Sequence, residues 1–224
     1  MLQRPFDAVV FDLDGVIVDT ERPVYEAWTS VLARHGCVVS LSEWNERVGT
    51  SGGGQAAYER LCSAATGPVP TLEELRVEIR ELQRPYLESM QPMPGVSEWI
   101  HAARELGLGL AVASSSPVSW VKACLRTVGL AQHFALVACP DGELAAKPAP
   151  DLYLAACEGL GVTPTRAIAV EDSRNGVAAA VAAGMRCLAV SNSITAGMDL
   201  SAAHHHIDSL ANLPLQEALV LLAA

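Results

Sequence analysis

Near the start of the chain the apolar run Ala8-Val9-Val10-Phe11 breaks into Asp12-Leu13-Asp14-Gly15, two carboxylates separated by one apolar residue. Carboxylates crowded in this way repel unless a cation or a shared proton relieves them. A pair so relieved can hold a divalent cation, attack phosphorus and shuttle a proton. A single aspartate here would read as a cap on the next turn; two point to chemistry. Two further apolar runs end in reactive groups, Val112-Ala113 in Ser114-Ser115 and Ala169-Val170 in Glu171-Asp172. Lys147, in Lys147-Pro148-Ala149-Pro150-Asp151, is one of only two lysines, the other being Lys122. A compact ammonium suits a crowded carboxylate–phosphate site better than a planar guanidinium.

These residues need a scaffold that brings distant positions together. Ala8–Phe11, Leu108–Ala113, Ala135–Ala138, Ala167–Val170 and Cys187–Val190 read as strands without polar alternation, as expected when both faces are covered. Helical patterns lie between them at Val96–Leu106, Pro117–Val128, Asp151–Leu160 and Asn175–Ala183, each followed by a glycine stop at 107, 129, 161 or 184. The alternation predicts an α/β fold, a Rossmann-like parallel sheet with right-handed crossovers. In such a sheet ligands bind beyond the carboxyl ends of the strands, where Asp12, Asp14, Ser114, Glu171 and Asp172 all fall. From Val18 to Met93 the rhythm changes to helix after helix, at Arg22–His35, Leu41–Val48, Ala56–Ala65 and Thr71–Met90. This predicts an inserted all-helical cap over 18–93, with 1–17 and 94–224 forming the core.

The chain has 224 residues, 50% hydrophobic and 18% charged, enough for a sizeable core. A net charge of −10 without Lys or Arg runs argues against nucleic acid as a partner. No stretch is apolar enough to span a bilayer, and the N-terminus lacks a secretory apolar core. Six scattered cysteines without a Cys-x-x-Cys pair fit reduced thiols and a cytoplasmic location. A monomer is the default expectation.

The segment Asp12-Leu13-Asp14-Gly15-Val16 resembles the first motif of the haloacid dehalogenase superfamily. Ser114-Ser115, Lys147-Pro148 and Glu171-Asp172 follow in that family's order, with Gly176 and Ala183-Gly184-Met185 continuing its pattern. The resemblance covers nearly the whole chain and is weakest between about Val38 and Met90. It implies a Mg2+-dependent phosphatase acting on a small phosphomonoester, a sugar or polyol phosphate. Asp12 is then the nucleophile, forming an aspartyl-phosphate, and Asp14 the general acid and base. Mg2+ is held by Asp12, Asp172 and the Asp14 backbone carbonyl, with Glu171 standing behind it. Ser114 and the N–H of Ser115 bind phosphate and Lys147 neutralises charge. Gly15 allows a tight turn with backbone N–H groups facing phosphate.

The nearest alternative is a β-phosphoglucomutase-like mutase. Those enzymes carry a basic cap-loop residue, a linker histidine and a lysine after the serine motif; here Gly49-Thr50-Ser51-Gly52, Val24 and Pro117 occupy those places. Dehalogenases and phosphonatases do not need Asp14 as a leaving-group acid. A non-catalytic phosphosugar- or metal-binding protein is the alternative of another class. His204-His205-His206 reads as a polar turn before a short strand His206–Asp208, not as a metal site. Gly52-Gly53-Gly54 is no nucleotide fingerprint. Trp28, Trp44 and Trp99 read as packing residues, and Arg47 is the cap arginine chosen for substrate contact.

Overall fold

The first strand, β1 (Ala8–Phe11), is buried along its whole length. Ala8 and Val10 pack into one cluster while Val9 and Phe11 pack into another. Two-sided burial is the reason the run shows no polar alternation. The computed structural model describes residues 4–46, 48, 53–65 and 67–224; Arg47 and the loop Gly49-Thr50-Ser51-Gly52 lie outside them.

After β1 come four helices in succession, α1 (Glu21–Arg34), α2 (Leu41–Asn45), α3 (Gly53–Ala64) and α4 (Leu72–Glu88). The alternating part follows as α5 (Val96–Glu105), β2 (Gly109–Ala113), α6 (Val118–Thr127), β3 (Leu136–Ala138), α7 (Asp151–Leu160) and β4 (Ala167–Glu171). It ends with α8 (Arg174–Ala182), β5 (Arg186–Val190), β6 (His205–Ile207) and α9 (Leu215–Ala223). The sheet runs β3-β2-β1-β4-β5-β6 and is parallel throughout. Strand order reverses at β1, the switch point where ligands sit in open α/β sheets. In register, Phe11 lies level with Val112 of β2 and Val170 of β4. The chain therefore delivers Asp12, Ser114 and Glu171-Asp172 to one rim.

The two faces of the sheet differ in size of side chain. Ala8, Ala111, Ala113, Ala167, Ala169 and Ala189 meet α7 and α8, and small residues let those helices approach closely. Phe11, Leu110, Val112, Ile168, Val170 and Leu188 fill the wider space beneath α5, α6 and α9. Trp99 is buried there and donates its indole N–H to Leu213 O, while Trp28 and Trp44 are buried among the helices that follow β1.

Element boundaries differ from the sequence reading in specific places. α2 stops at Asn45, short of the expected Val48; Asn is a poor helix former and its amide is held by Ile194 O at 2.9 Å. α3 starts at Gly53, ahead of the expected Ala56, and Gly54 lies against the Trp28 ring, where an added Cβ would stand 3.1 Å from Cζ2 and press on the indole. Ser40 and Thr71 form capping boxes with Glu43 and Glu74, placing the starts of α2 and α4. β6 begins one residue before the expected His206, because His204 bonds both the N–H and the C=O of Cys187 and so starts the pairing. The six cysteines are all free. Among the described residues no helix is long and apolar enough to cross a membrane.

The chain enters the helical interval and leaves it side by side: Val18 bridges Pro92, and Met93 N–H donates to Ile17 O at 2.8 Å.

Candidate active site

At the end of β1 the Asp12 N–H donates to Val170 O, fixing the residue against β4. Asp12 Oδ1 lies 2.5 Å from Lys147 Nζ, and Lys147 Nζ lies 2.5 Å from Glu171 Oε1. Lys147 is buried and Lys122 exposed, so the scarce lysine singled out by its motif is the one the fold encloses. The Glu171 carboxyl is saturated. Its Oε1 also accepts from Tyr153 OH at 2.6 Å, and its Oε2 accepts from Asp172 N–H and the Ser173 hydroxyl. Ser173 in turn caps α8 by accepting from Gly176 N–H. Asp172 Oδ2 accepts from Asn192 Nδ2 at 2.6 Å, and the same amide reaches Gly15 O.

Two glycines make room for this packing. Gly15 has φ +91°, and a Cβ there would run into Asp172 and Asn192. Its own N–H donates to Val18 O and closes the turn. At Gly176 a Cβ would overlap the Glu171 carboxyl. Alanine normally stabilises a helix relative to glycine by up to about 1 kcal/mol, but overpacking costs about 1–3 kcal/mol. Gly176→Ala is therefore expected to lower stability in urea unfolding and to reduce activity by displacing Glu171 from Lys147. A more stable variant with full activity would contradict this placement.

Asp14 points into a different set of partners. Its Oδ1 accepts from Thr20 Oγ1 at 2.6 Å and Trp120 Nε1 at 3.0 Å; its Oδ2 accepts from Ser116 Oγ at 2.7 Å and Ser114 Oγ at 3.3 Å. Thr20 occupies the N-cap position of α1, yet its hydroxyl serves Asp14 and makes no cap bond. Ser115 Oγ accepts from Lys147 N–H, tying the serine turn to the lysine loop. Ser115 lies three residues before α6 begins at Val118, in the turn and not at the helix start.

The electrostatics are those of excess negative charge in a dry place. Burial pushes Asp12 up to about 8, with Lys147 opposing the rise and Glu171 and Asp14 adding to it. Burial also raises Asp172 well above the carboxylate range, helped by Asp12 and Glu171. For Lys147, burial disfavours the charge, but Asp12 and Glu171 outweigh it and hold the ammonium protonated. Beside Asp14, burial pushes Glu21 up to about 7, with Asp14 adding to the rise. Oxygens of Asp12, Glu171 and Asp172 lie within 4.8 Å of one another, the one group of that kind among the described residues. Hard oxygen donors with more negative charge than Lys147 balances fit a divalent cation. Of the three acids Asp12 is the most open, 7% exposed against 1% for Asp172 and 0% for Glu171, so it is the one a substrate can reach.

The structure thus brings together Asp12, Asp14, Ser114, Ser115, Lys147, Glu171 and Asp172. Arg47 lies outside the described residues. Sequence reasoning passed over Thr20, Ser116, Trp120, Tyr153 and Asn192. Asn192 had a usable signal, since it follows the end of β5 on the same rim; Tyr153 had none, being one more apolar position of α7.

A family model described as haloacid dehalogenase-like hydrolase matches residues 6–184. The chain is 38% identical over 208 residues to YhcW of Bacillus subtilis, assigned as a phosphatase, across 93% of this chain and 94% of that protein. It is 32% identical over 185 residues to the fructose-1-phosphate phosphatase YqaB of Escherichia coli, across 80% and 94% respectively. CbbY from Rhodobacter sphaeroides, solved in complex with phosphate, matches with a TM-score of 0.75 at 29% identity, covering 93% of this chain and 96% of that one.

Proposed function

The chain belongs to the haloacid dehalogenase-like hydrolase family, and on that premise we propose that it is a Mg2+-dependent phosphatase hydrolysing a sugar or polyol monophosphate through an aspartyl-phosphate on Asp12. The observation that carries this reading is the division of labour between two neighbouring carboxyls: Asp12 joined to Lys147 and the acid cluster, Asp14 held apart by hydroxyls and an indole. Binding alone would not need the second arrangement.

In the first displacement an Asp12 oxygen attacks phosphorus, and the bond from phosphorus to the alcohol oxygen breaks. The departing alkoxide takes a proton from Asp14. Trp120 N–H can only donate, so it marks Asp14 Oδ1 as an acceptor. Ser114 and Ser116 can reverse their hydroxyls, leaving Oδ2 as the oxygen that carries the proton. In the second displacement water gives its proton back to Asp14 and attacks phosphorus, freeing Asp12 and inorganic phosphate. Lys147 balances charge on Asp12 as the phosphate dianion arrives, and Ser114, with the N–H of Ser115, receives the phosphoryl oxygens. Asp12, Asp172 and the main-chain carbonyl of Asp14 would hold Mg2+, with Glu171 fixing Lys147 and the Asp172 N–H behind them. When bound, Mg2+ neutralises charge on the phosphoryl oxygens. The helical interval 18–93 acts as the cap over this rim, and Arg47 is its proposed substrate contact.

Val24 and Pro117 line the cavity next to Asp14 where a mutase would carry basic groups, which favours hydrolysis over phosphoryl return. The test is phosphate release from sugar, polyol and nucleotide monophosphates in Mg2+ and in EDTA. Release from sugar or polyol esters is expected in Mg2+, to fall at least about a hundredfold in EDTA, and to return with added Mg2+. No release from any ester would overturn the reading. Conversion of glucose 1-phosphate without net release would establish the mutase.

A further inference from the structure

The Asp14 carboxyl lines a cavity of about 350 Å³, the one bordered by Val24 and Pro117. Its other polar groups are Thr20, Glu21 (the first residue of α1) and Ser116; its walls are Val24, Pro117 and the Trp120 indole. Asp14 must stand beside the alcohol oxygen that it protonates, so the space it lines is where the alcohol sits. That space offers a carboxyl able to take several hydroxyl protons, opposite an indole and two apolar side chains suited to C–H surfaces. A second anionic group on the alcohol would meet Glu21 and be repelled. A wholly apolar alcohol would leave the Glu21 carboxyl without hydroxyl partners.

We infer that Glu21 is the specificity-determining residue, receiving the hydroxyls of an uncharged polyhydroxylated alcohol while Ser114 and Lys147 hold the phosphoryl group. This rests on the phosphatase reading above and adds to it the group that distinguishes one ester from another. The position is set by the chain just after the first motif: Thr20 is turned to Asp14, and the next residue, Glu21, opens α1 into the same cavity.

The experiment compares Glu21→Leu and Glu21→Gln with the wild type on sorbitol 6-phosphate and phenyl phosphate, in Mg2+, after melting curves establish that each variant is folded. The readout is the ratio of kcat/KM for the polyol ester to that for the aryl ester. For Glu21→Leu this ratio is expected to fall roughly ten- to hundredfold, mainly through KM for the polyol ester. Glu21→Gln, which still offers hydrogen bonds, should fall less. An unchanged ratio in both variants overturns the inference. So does an equal loss on both esters in a folded variant, which would assign Glu21 to support of Asp14. Wild-type protein that releases phosphate from neither ester nor from any member of the sugar, polyol and nucleotide panel refutes the phosphatase reading itself, a result separable from failure of the Glu21 inference.

Discussion

Asp12→Asn is expected to stop phosphate release, lowering turnover by on the order of 10⁴-fold or more, as loss of a nucleophile does elsewhere. The fold should survive, and the reason is electrostatic. Asp12 has a pKa of about 8 in the folded chain against an ordinary 3.8. Between those values the folded state keeps a proton that the unfolded chain has released. Stability from that proton is fully present below the unfolded pKa and is lost as pH rises toward 8. Metal-free protein should therefore melt at a lower temperature at pH 8 than at pH 5. Added Mg2+ should recover more at pH 8 than at pH 5. An amide cannot ionise, so Asp12→Asn should flatten part of this slope, the rest staying with Asp172, whose pKa is also raised. Melting curves in EDTA and in Mg2+ across that range test the charge argument, and phosphate release tests the chemistry. A flat melting profile in EDTA, or an active Asp12→Asn enzyme, would each remove one of the two supports.

The parts of this site legible in the sequence are those that a parallel sheet exposes by construction. Asp12, Ser114, Glu171 and Asp172 follow apolar runs, and strand register alone sets them on one rim. Lys147 was found through its motif, because nothing in a loop's composition says that it will be buried. The clamp on Asp14 was not legible, because local rules gave Thr20 and Trp120 ordinary occupations. Thr20 stands where a helix cap belongs and Trp120 where an amphipathic helix carries an aromatic, yet both turn polar atoms to Asp14. Long-range choice between competing hydrogen-bond partners decided these cases, and propensity does not encode it. The helical interval was less legible than the sheet for a related reason. Its helix ends are set by contacts such as Asn45 with Ile194 O and Gly54 against Trp28, made across long sequence separations.

Lys147→Met should be the most damaging single change to stability, with a loss of activity second only to that of Asp12→Asn. The ammonium is buried with Asp12 and Glu171 at 2.5 Å each and lies 5.1 Å from the centre of the Tyr153 ring. Removing one partner of a buried ion pair commonly costs about 3–5 kcal/mol, because a charge is left without compensation. Here the loss should fall toward the lower end of that range, since Asp12, already raised by burial in the metal-free chain, holds its proton to still higher pH once the opposing charge of Lys147 is gone. That relief has a chemical consequence: a protonated Asp12 cannot attack phosphorus. Turnover should therefore drop by on the order of 10³-fold near neutral pH, with residual activity displaced toward higher pH, where Asp12 ionises. Lys147→Arg discriminates position from charge. The guanidinium keeps the cation but needs more room than a side chain only 1% exposed and covered by Tyr153 can provide. It should lose at least about a hundredfold in kcat. Near-wild-type turnover in Lys147→Arg would mean that positive charge anywhere in the pocket suffices. The close placement of Nζ between Asp12 and Glu171 would then be a matter of packing, and Glu171 would lose its reason to be buried there.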